Sequence, residues 1–246
     1  MYKSKNEITL QRLNSKLYFM NMNIKKTSLF ATLSTVAVAV VAATSIATTS
    51  CQNANASDTR SLPAPAKSAK MTLMEALQQR HSVRDFSDKA VSDADLSELL
   101  WAACGINRPD TKKITAPSAI NAQDILVYVC TKDGAWLYIP DGNSLKKVSD
   151  KDLRPAVAGR QESVAVAPVS LVLVSDRTKF GDHGNAADTM GAIDAGYVSQ
   201  NICLACTALG LATVPRMTMD KETLAKEMQL DENKTLLLNH PVGYEK

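Results

Sequence analysis

The chain of 246 residues has few of the residue types that metal centres and nucleic-acid surfaces need. It has three histidines and five cysteines, with no paired Cys and His sets at the spacing of zinc ligands, which argues against a zinc site. The formal net charge of +3 comes from the first fifty residues. Residues 51–246 hold 22 Lys and Arg against 24 Asp and Glu, a net charge of −2. Without a basic balance, nucleic acid is a poor candidate partner.

One cysteine pair has a spacing that needs interpretation. Cys203 and Cys206 show the C-x-x-C spacing, but they fall within an apolar helical pattern. We therefore predict buried core thiols, as at Cys104 and Cys130, with a redox or metal site as the alternative. The loop that contains His183 is predicted to be surface, with an active-site lid as the alternative.

The first fifty residues have the pattern of an export signal. Lys25 and Lys26 precede an apolar run over residues 29–46, as in the charged and apolar regions of a signal peptide. An over-extended N-terminus is a further interpretation, because Met20 and Met22 would make more ordinary starts.

Two cleavage sites are compatible with this leader. Residues 48–51 form a loose lipobox, and we favour a lipoprotein with lipidated Cys51 because Cys51 directly follows the apolar stretch. Residues 54–56 form an A-x-A site that would release a soluble protein. An uncleaved membrane anchor is the third alternative, although the run is short and rich in Thr for a span. We expect an exported protein of the cell envelope or periplasm.

The remaining chain divides into a linker and one domain. Residues 51–70 contain Pro63 and Pro65 and predict a polar linker that keeps the domain off a membrane. Residues 71–246 are enough for a single domain with a buried core. They show no internal repeat and no low-complexity tract.

Start and stop signals give this domain an α+β pattern. Thr72 with Glu75 predicts a capping box, and Ser92 repeats the signal before a helix over residues 94–103 that ends at Gly105. The predicted strands cover residues 125–130, 136–139, 169–174 and 235–239, and a long helix rich in small residues covers residues 188–209. The apolar run over residues 169–174 predicts a central strand buried on both faces.

Two short segments carry most of the chemistry. Arg80-His81-Ser82-Val83-Arg84 places two guanidinium groups and a hydroxyl on one stretch, which suits a phosphate. Pro117-Ser118-Ala119-Ile120-Asn121-Ala122-Gln123 adds two carboxamides at an i, i+2 spacing. Taken singly, each segment is typical of an ordinary solvated surface. Together they predict a pocket for a phosphorylated heterocycle rather than a protease site or a nucleic-acid groove.

The order of the motifs resembles the nitroreductase superfamily of FMN flavoproteins. Arg-x-Ser-x-Arg is followed by Pro-Ser-x-x-Asn-x-Gln, then by a small-residue helix that ends Ala208-Leu209-Gly210-Leu211, and then by His240-Pro241-Val242-Gly243-Tyr244. The segment Leu100-Trp101-Ala102-Ala103-Cys104-Gly105-Ile106-Asn107-Arg108-Pro109 makes the chain most similar to the branch labelled SagB or thiazoline-oxidase-like. The resemblance covers essentially all of residues 71–246.

The resemblance implies a fold, a cofactor and a set of binding residues. The fold is α+β, with a central, mostly antiparallel sheet flanked by helices, in an interlocked homodimer, and the cofactor is FMN. Arg80, Ser82 and Arg84 match residues that hold the FMN phosphate and ribityl end, with the backbone of His81. Lys246 is the candidate for a basic residue that caps the phosphate.

The resemblance assigns the other flavin contacts to two further segments. Pro117, Ser118 and Asn121 match a segment that approaches the flavin from the other subunit, and Gln123 matches the flavin-side carboxamide. The backbone amides of Leu209, Gly210 and Leu211 match those that lie against the N5 and O4 edge of the isoalloxazine.

The implied activity is FMN-dependent oxidoreduction in a ping-pong cycle with a small electron donor and acceptor. A flavin supplies the redox chemistry, so the protein needs no Ser-His-Asp or paired-carboxylate set. No residue indicates the substrate, and an exported protein has little access to NAD(P)H, so we expect another donor or reduction by the substrate itself. A non-catalytic flavin-binding electron carrier and a flavin-free envelope interaction protein remain alternatives.

Overall fold

The computed structural model describes residues 58–184 and 186–246, so the predicted leader, its cleavage sites and Cys51 lie outside the described residues. At the centre is a seven-stranded sheet in which every pair of neighbours is antiparallel. The strands are Thr59–Ser61 (β1), Ile106–Arg108 (β2), Lys113–Ile114 (β3), Ile125–Thr131 (β4), Gly134–Ile139 (β5), Ser144–Ser149 (β6), Val169–Asp176 (β7), Ala212–Thr213 (β8) and Lys234–Gly243 (β9). The order in the main sheet is β1-β6-β5-β4-β7-β9-β8, and β2 pairs with β3 separately.

Helices flank this sheet, which confirms the predicted α+β class. They are Leu73–Gln79 (α1), Asp93–Cys104 (α2), Arg154–Ala158 (α3), Ala186–Ala208 (α4) and Lys221–Glu227 (α5), with short 3₁₀ turns at Pro109–Thr111, Ala119–Asn121, Glu162–Val166 and Arg177–Phe180. Among the helices of the described ranges, none combines the length and the apolar character that a membrane crossing needs.

Side-chain caps set the starts of α1 and α2, as predicted. The Glu75 amide donates to the Thr72 hydroxyl at 3.3 Å, and the Thr72 amide donates to the Glu75 carboxylate at 2.7 Å, which is a complete capping box. The Ser92 hydroxyl accepts from the Asp95 amide at 3.1 Å. Gly105 follows α2, as predicted, and its backbone is extended because the chain runs directly into β2.

The two central strands of the sheet bury alternate side chains on opposite faces. In β7, Leu171 and Leu173 join the core beneath α2 and α4, whereas Val172 and Val174 join the core beneath α3 and α5. Every residue of β7 is buried. This confirms the prediction that the apolar run is a central strand covered on both faces.

The structured domain begins earlier than the boundary at residue 71. Within the predicted linker, β1 pairs with β6, and Leu62 is buried in the main core. The Pro63 carbonyl accepts hydrogen bonds from the Ser97 hydroxyl at 2.6 Å and the Asn143 side-chain amide at 2.9 Å. Composition indicated a tether because polar residues and prolines surround the one buried leucine, but backbone pairing holds this stretch on the domain.

We predict that Leu62→Ala destabilises the domain by about 2–4 kcal/mol, because it removes buried methyl groups from the core. Urea unfolding measures this change. Val166→Ala, at an exposed side chain, is the control and is expected to stay within about 0.5 kcal/mol of the parent. An equally small effect at Leu62 would show that residues 58–62 act as a free tether.

Candidate functional site

A cavity of 190 Å³ lies where the segment after α1 meets the end of α4 and the C-terminus. Its lining includes His81 and Val83, residues 210–213, and Glu245. The fold therefore brings together two of the predicted binding segments, the Arg-x-Ser-x-Arg stretch and the end of the small-residue helix. None of residues 117–123 lines this cavity.

The Arg80 to Arg84 segment is held by its backbone. Arg80 ends α1, its amide donating to the Ala76 carbonyl at 2.9 Å, and the chain then leaves the helix in an extended conformation. The Val83 amide donates to the Thr213 carbonyl at 3.1 Å, and the Val83 side chain is buried. Ser82 and Arg84 on either side of Val83 are exposed, so their polar groups stay at the protein surface.

The two arginines of this segment have no acidic partner among the residues that the structure describes. No ion pair joins Arg80 or Arg84 to a carboxylate within residues 58–184 and 186–246. Two guanidinium groups and the Ser82 hydroxyl are therefore available to an anion. The positive charge of Arg80 also lowers the pKa of the nearby Cys203 thiol, although burial raises that pKa by more.

The C-terminal residues run beside the same segment. The Ser87 amide donates to the Tyr244 carbonyl at 2.9 Å, and the Lys246 amide donates to the Asp85 carbonyl at 3.3 Å. The backbone therefore places Lys246, the predicted phosphate cap, next to the arginine segment. Glu245 lies at the cavity with its carboxylate 3.8 Å from His81 Nε2, an acidic neighbour that the sequence patterns did not indicate.

The end of α4 uses its backbone amides to stop the helix. Gly210 has a φ of +69°, and its amide donates to the Thr207 carbonyl at 3.1 Å. The Leu211 amide donates to the Cys206 carbonyl at 2.8 Å, which completes a Schellman motif. The Leu209 amide also donates within the helix. Any hydrogen bond from these amides to a flavin would therefore be shared with helix carbonyls.

His240 of the His-Pro-Val-Gly-Tyr motif lies behind the cavity wall, fully buried in β9. The Thr213 hydroxyl donates to the Pro241 carbonyl at 2.8 Å, so it can only accept from His240 Nδ1, 3.2 Å away. Nε2 then accepts from the Ser199 hydroxyl at 2.8 Å. Burial lowers the pKa of His240 to about 3, so the imidazole is neutral and structural.

Arg216 belongs to none of the sequence motifs, yet it is the most heavily hydrogen-bonded arginine near the site. It is buried, and it donates to Gln161 Oε1, Asn239 Oδ1 and the carbonyls of Val157 and Ala158. Burial and the neighbouring charge of Arg84 lower its pKa. The positive charge of Arg216 therefore adds to that of Arg84, because all the acceptors of Arg216 are neutral.

Residues 117–123 form a separate loop with an unusual backbone. Ile120, Asn121 and Gln123 all have positive φ, at 50°, 59° and 50°. The Gln123 amide donates to Ser118 Oγ at 2.9 Å, and the Gln123 side-chain amide donates to the Lys112 carbonyl at 3.2 Å. Pro117, Ile120 and Asn121 are exposed, so the loop presents its tip outward.

The cysteines of the described ranges are buried thiols, as predicted: Cys104, Cys130, Cys203 and Cys206. Burial raises the pKa of Cys104 and of Cys130 to about 12 and that of Cys206 well above its usual range. Such thiols are poor nucleophiles at neutral pH. Within the same ranges, no group of three or more His, Cys, Asp or Glu side chains could hold a metal ion.

Comparison with known proteins identifies the family. Residues 77–244 match the Nitroreductase family, and the chain belongs to it. A Methanocaldococcus jannaschii protein that carries the name nitroreductase is 30% identical over 184 residues, which are 70% of this chain and 90% of that protein. A crystal structure of a Ralstonia eutropha protein with the same name superposes with a TM-score of 0.73 at 32% identity, over 77% of this chain and 90% of that one.

The name of a third relative contains FMN. The NAD(P)H-dependent FMN reductase of Bacillus subtilis is 26% identical over 156 residues, which are 58% of this chain and 53% of that protein. The fold and these relatives make the chain an oxidoreductase of the nitroreductase type.

We predict that the buried His240 makes the domain sensitive to acid. The pKa of His240 is lowered in the folded state, so the unfolded chain binds more protons and stability falls as the pH drops from about 6.5 to about 3. In the parent, this loss of the free energy of unfolding amounts to at most about 1.4 kcal/mol per pH unit, and His240→Gln is expected to remove it. Urea unfolding at pH 7 and pH 4 measures the difference, with His183→Gln at an exposed loop as the control. Equal slopes in His240→Gln and the parent would contradict the assignment.

Proposed function

We propose that the chain binds FMN and transfers hydride or electrons between two small organic substrates in a ping-pong cycle. Two observations carry this proposal: His81 and Val83 line the cavity at the end of α4, and Arg80, Ser82 and Arg84, which alternate with them along the chain and do not line it, have no acidic partner in the described part of the chain. Planar guanidinium groups and a hydroxyl suit a phosphate monoester.

The donor chemistry fits the phosphate end of FMN, with Arg216 and Lys246 adding positive charge. The Arg84 and Arg216 charges are close enough to affect each other, and a dianionic phosphate would relieve their repulsion. The backbone brings Lys246 to the same segment. Glu245, whose carboxylate lies 3.8 Å from His81 Nε2, opposes this preference.

One chain does not form the whole site. Ligand pockets usually enclose about 300–1,000 Å³, and this cavity has 190 Å³. We therefore propose that a second copy of the chain completes it, with residues 117–123 of each copy reaching the cofactor held by the other. The exposed tip of that loop and its absence from the cavity lining are consistent with this arrangement.

The helices offer a surface for the second copy. α1 exposes Leu73, Met74 and Leu77, and α4 exposes Ile193 and Tyr197. Gly196 lies on the same side of α4, and apart from its chain neighbours and the adjoining helix backbone, no atom of the described residues lies within 4 Å of a Cβ placed there. Large exposed apolar side chains around a small residue are typical of a surface where two helices pack closely.

The protein's own contribution is binding, orientation and electrostatics. Bound FMN supplies the transfer of hydride and electrons. The arginine segment would hold the phosphate, and the carboxamides of Asn121 and Gln123 would orient the ring system. The buried thiols and the neutral His240 stand apart from this chemistry, because neither offers a group that ionises readily at neutral pH.

The electron donor depends on where the protein works. The Bacillus relative is named for NAD(P)H, whereas the export signal predicted over residues 1–50 favours a donor outside the cytoplasm. We propose export with a lipid on Cys51, and therefore a donor other than NAD(P)H. An anaerobic donor screen that follows bleaching of the flavin spectrum decides this, and rapid bleaching by NADH alone would contradict it.

We predict that Arg80→Ala with Arg84→Ala releases FMN from a folded domain. Each charge-assisted hydrogen bond to the phosphate contributes about 1.5–3 kcal/mol, so affinity falls at least about tenfold for each arginine removed. Fluorescence titration with FMN measures the affinity, and circular dichroism checks the fold. Lys132→Ala with Lys146→Ala removes the same charge from exposed positions and serves as the control. Unchanged affinity in the arginine variant would refute the site.

We also predict that Ile193→Asp separates the two copies and weakens FMN binding, because it places a charge on the apolar face of α4. Sedimentation velocity is expected to show a dimer for the parent and a monomer for the variant. Val166→Asp changes an exposed apolar residue outside that face and is the control. A parent chain that stays monomeric with FMN bound would contradict the shared site.

A further inference from the structure

Two buried carboxylates meet beneath the 117–123 loop. Asp124 immediately follows the loop and is 0% exposed, and Asp194 projects from α4 and is 1% exposed. They belong to different elements, so the fold rather than local sequence brings them together. Neither forms an ion pair with a Lys, Arg or His of the described ranges.

Asp194 is the anchor of the loop. Both of its carboxylate oxygens accept from the Ala119 amide, at 2.9 Å and 3.1 Å. Ala119 opens the short 3₁₀ turn that contains Ile120 and Asn121, the two residues with positive φ at the loop tip. A β-branched residue such as Ile120 rarely adopts this conformation, so its surroundings must hold it there.

Asp124 is only half satisfied by the groups around it. Its Oδ2 accepts from the Ser175 hydroxyl of β7 at 2.5 Å. Its Oδ1 is buried and has no hydrogen-bond partner among the described residues as long as both carboxyl groups are ionised, because two carboxylates can only accept. A proton on Asp124 would give this unpaired oxygen a hydrogen bond, because the resulting hydroxyl can donate to Asp194.

Helix α4 packs closely against β7 beside this pair of carboxyl groups. A Cβ at Gly191, one turn before Asp194, would lie 2.3 Å from Ser175 Oγ and 3.4 Å from Asp124 Oδ2. Glycine is therefore required for the helix to approach the strand at this point. The approach is what brings the helix carboxylate of Asp194 to the carboxyl group of Asp124, which immediately precedes β4.

We propose that Asp124 and Asp194 form an acid pair that shares one proton, and that Asp194 is a positioning residue for the 117–123 loop. Two adjacent buried carboxyl groups cannot both ionise at low cost, so the pair keeps its proton to a higher pH than an exposed carboxyl group does. The groups that face the pair are the Ser175 hydroxyl from β7 and the Ala119 amide from the loop, and neither titrates. The link from this loop to FMN rests on the proposed function.

The titration of Asp124 has a defined direction. Burial is the main cause that raises its pKa to about 6, and Asp194 adds to the rise. Between about pH 4 and pH 6 the folded chain thus binds more protons than the unfolded chain, and this contribution to stability is lost as the pH rises through about 6. Asp124→Asn is permanently neutral and can donate to Asp194, so it lacks this loss.

The first test compares the full chain with its Asp124→Asn variant in thermal unfolding from pH 4 to pH 8. We expect the midpoint of the parent to fall relative to that of the variant as the pH rises through about 6. Asp133→Asn, at an exposed hairpin turn, is the control and is expected to run parallel to the parent. A constant difference between the parent and Asp124→Asn would overturn the shared proton.

The second test addresses positioning. In Asp194→Asn the Ala119 amide keeps one neutral acceptor, so its hydrogen exchange is expected to accelerate about tenfold. The affinity of Asp194→Asn for FMN is expected to fall by a similar factor. In Asp124→Asn, the exchange rate at Ala119 and the affinity for FMN are both expected to stay within about twofold of the parent. Unchanged exchange at Ala119 in Asp194→Asn would overturn the positioning role. A parent that does not bind FMN would overturn the proposed function alone, because the unfolding and exchange measurements still decide on the pair.

Discussion

The packing of α4 across the central strands is the contact on which the rest of the structure depends. Its 23 residues extend about 34 Å. Near its start, the close approach at Gly191 brings Asp194 to the loop that begins at Pro117. At its end, the turn at Gly210 lines the cavity beside the arginine segment. One helix thus sets the separation between the two segments that carry the predicted chemistry.

In the proposed dimer, that separation gives each chain two parts of a site that are incomplete by themselves. A loop and a cavity at different places cannot serve one ligand within a single copy, but a twofold assembly can bring each loop to the other copy's cavity. Assembly and cofactor binding would then stabilise each other, because the ligand contacts both chains. The exposed apolar residues of α1 and α4 lie on the helices that link the two parts.

Much of the fold could be predicted because local signals agreed with the tertiary structure. Thr72 and Ser92 cap their helices through contacts within four residues, and the apolar run of β7 is apolar because helices cover both of its faces. β1 was missed because its place depends on pairing with β6, more than eighty residues away along the chain, and a three-residue strand has no periodicity to detect.

The candidate site was predictable only in part, because some of its contacts join residues that are far apart in the sequence. The arginine segment and the end of α4 carry motifs, and the fold brings them to one cavity. Arg216 belongs to no motif. What distinguishes it is a buried guanidinium group whose neutral acceptors are contributed by residues far away along the chain. The use of the Leu209 to Leu211 amides in helix termination also follows from geometry, since a Gly after a helix indicates a stop but not which carbonyls are satisfied.

The short outer strands also limit how this protein can associate. An open sheet edge offers unpaired amides and carbonyls to a neighbouring chain, and proteins commonly protect such edges with short or covered strands. Here β1 covers one side of β6, and at the opposite end β8 has two buried residues and a carbonyl that already accepts from Val83. Continuation of the sheet from one copy into another is therefore disfavoured at the β8 edge, whereas the exposed apolar residues of α1 and α4 stay available to the proposed second copy.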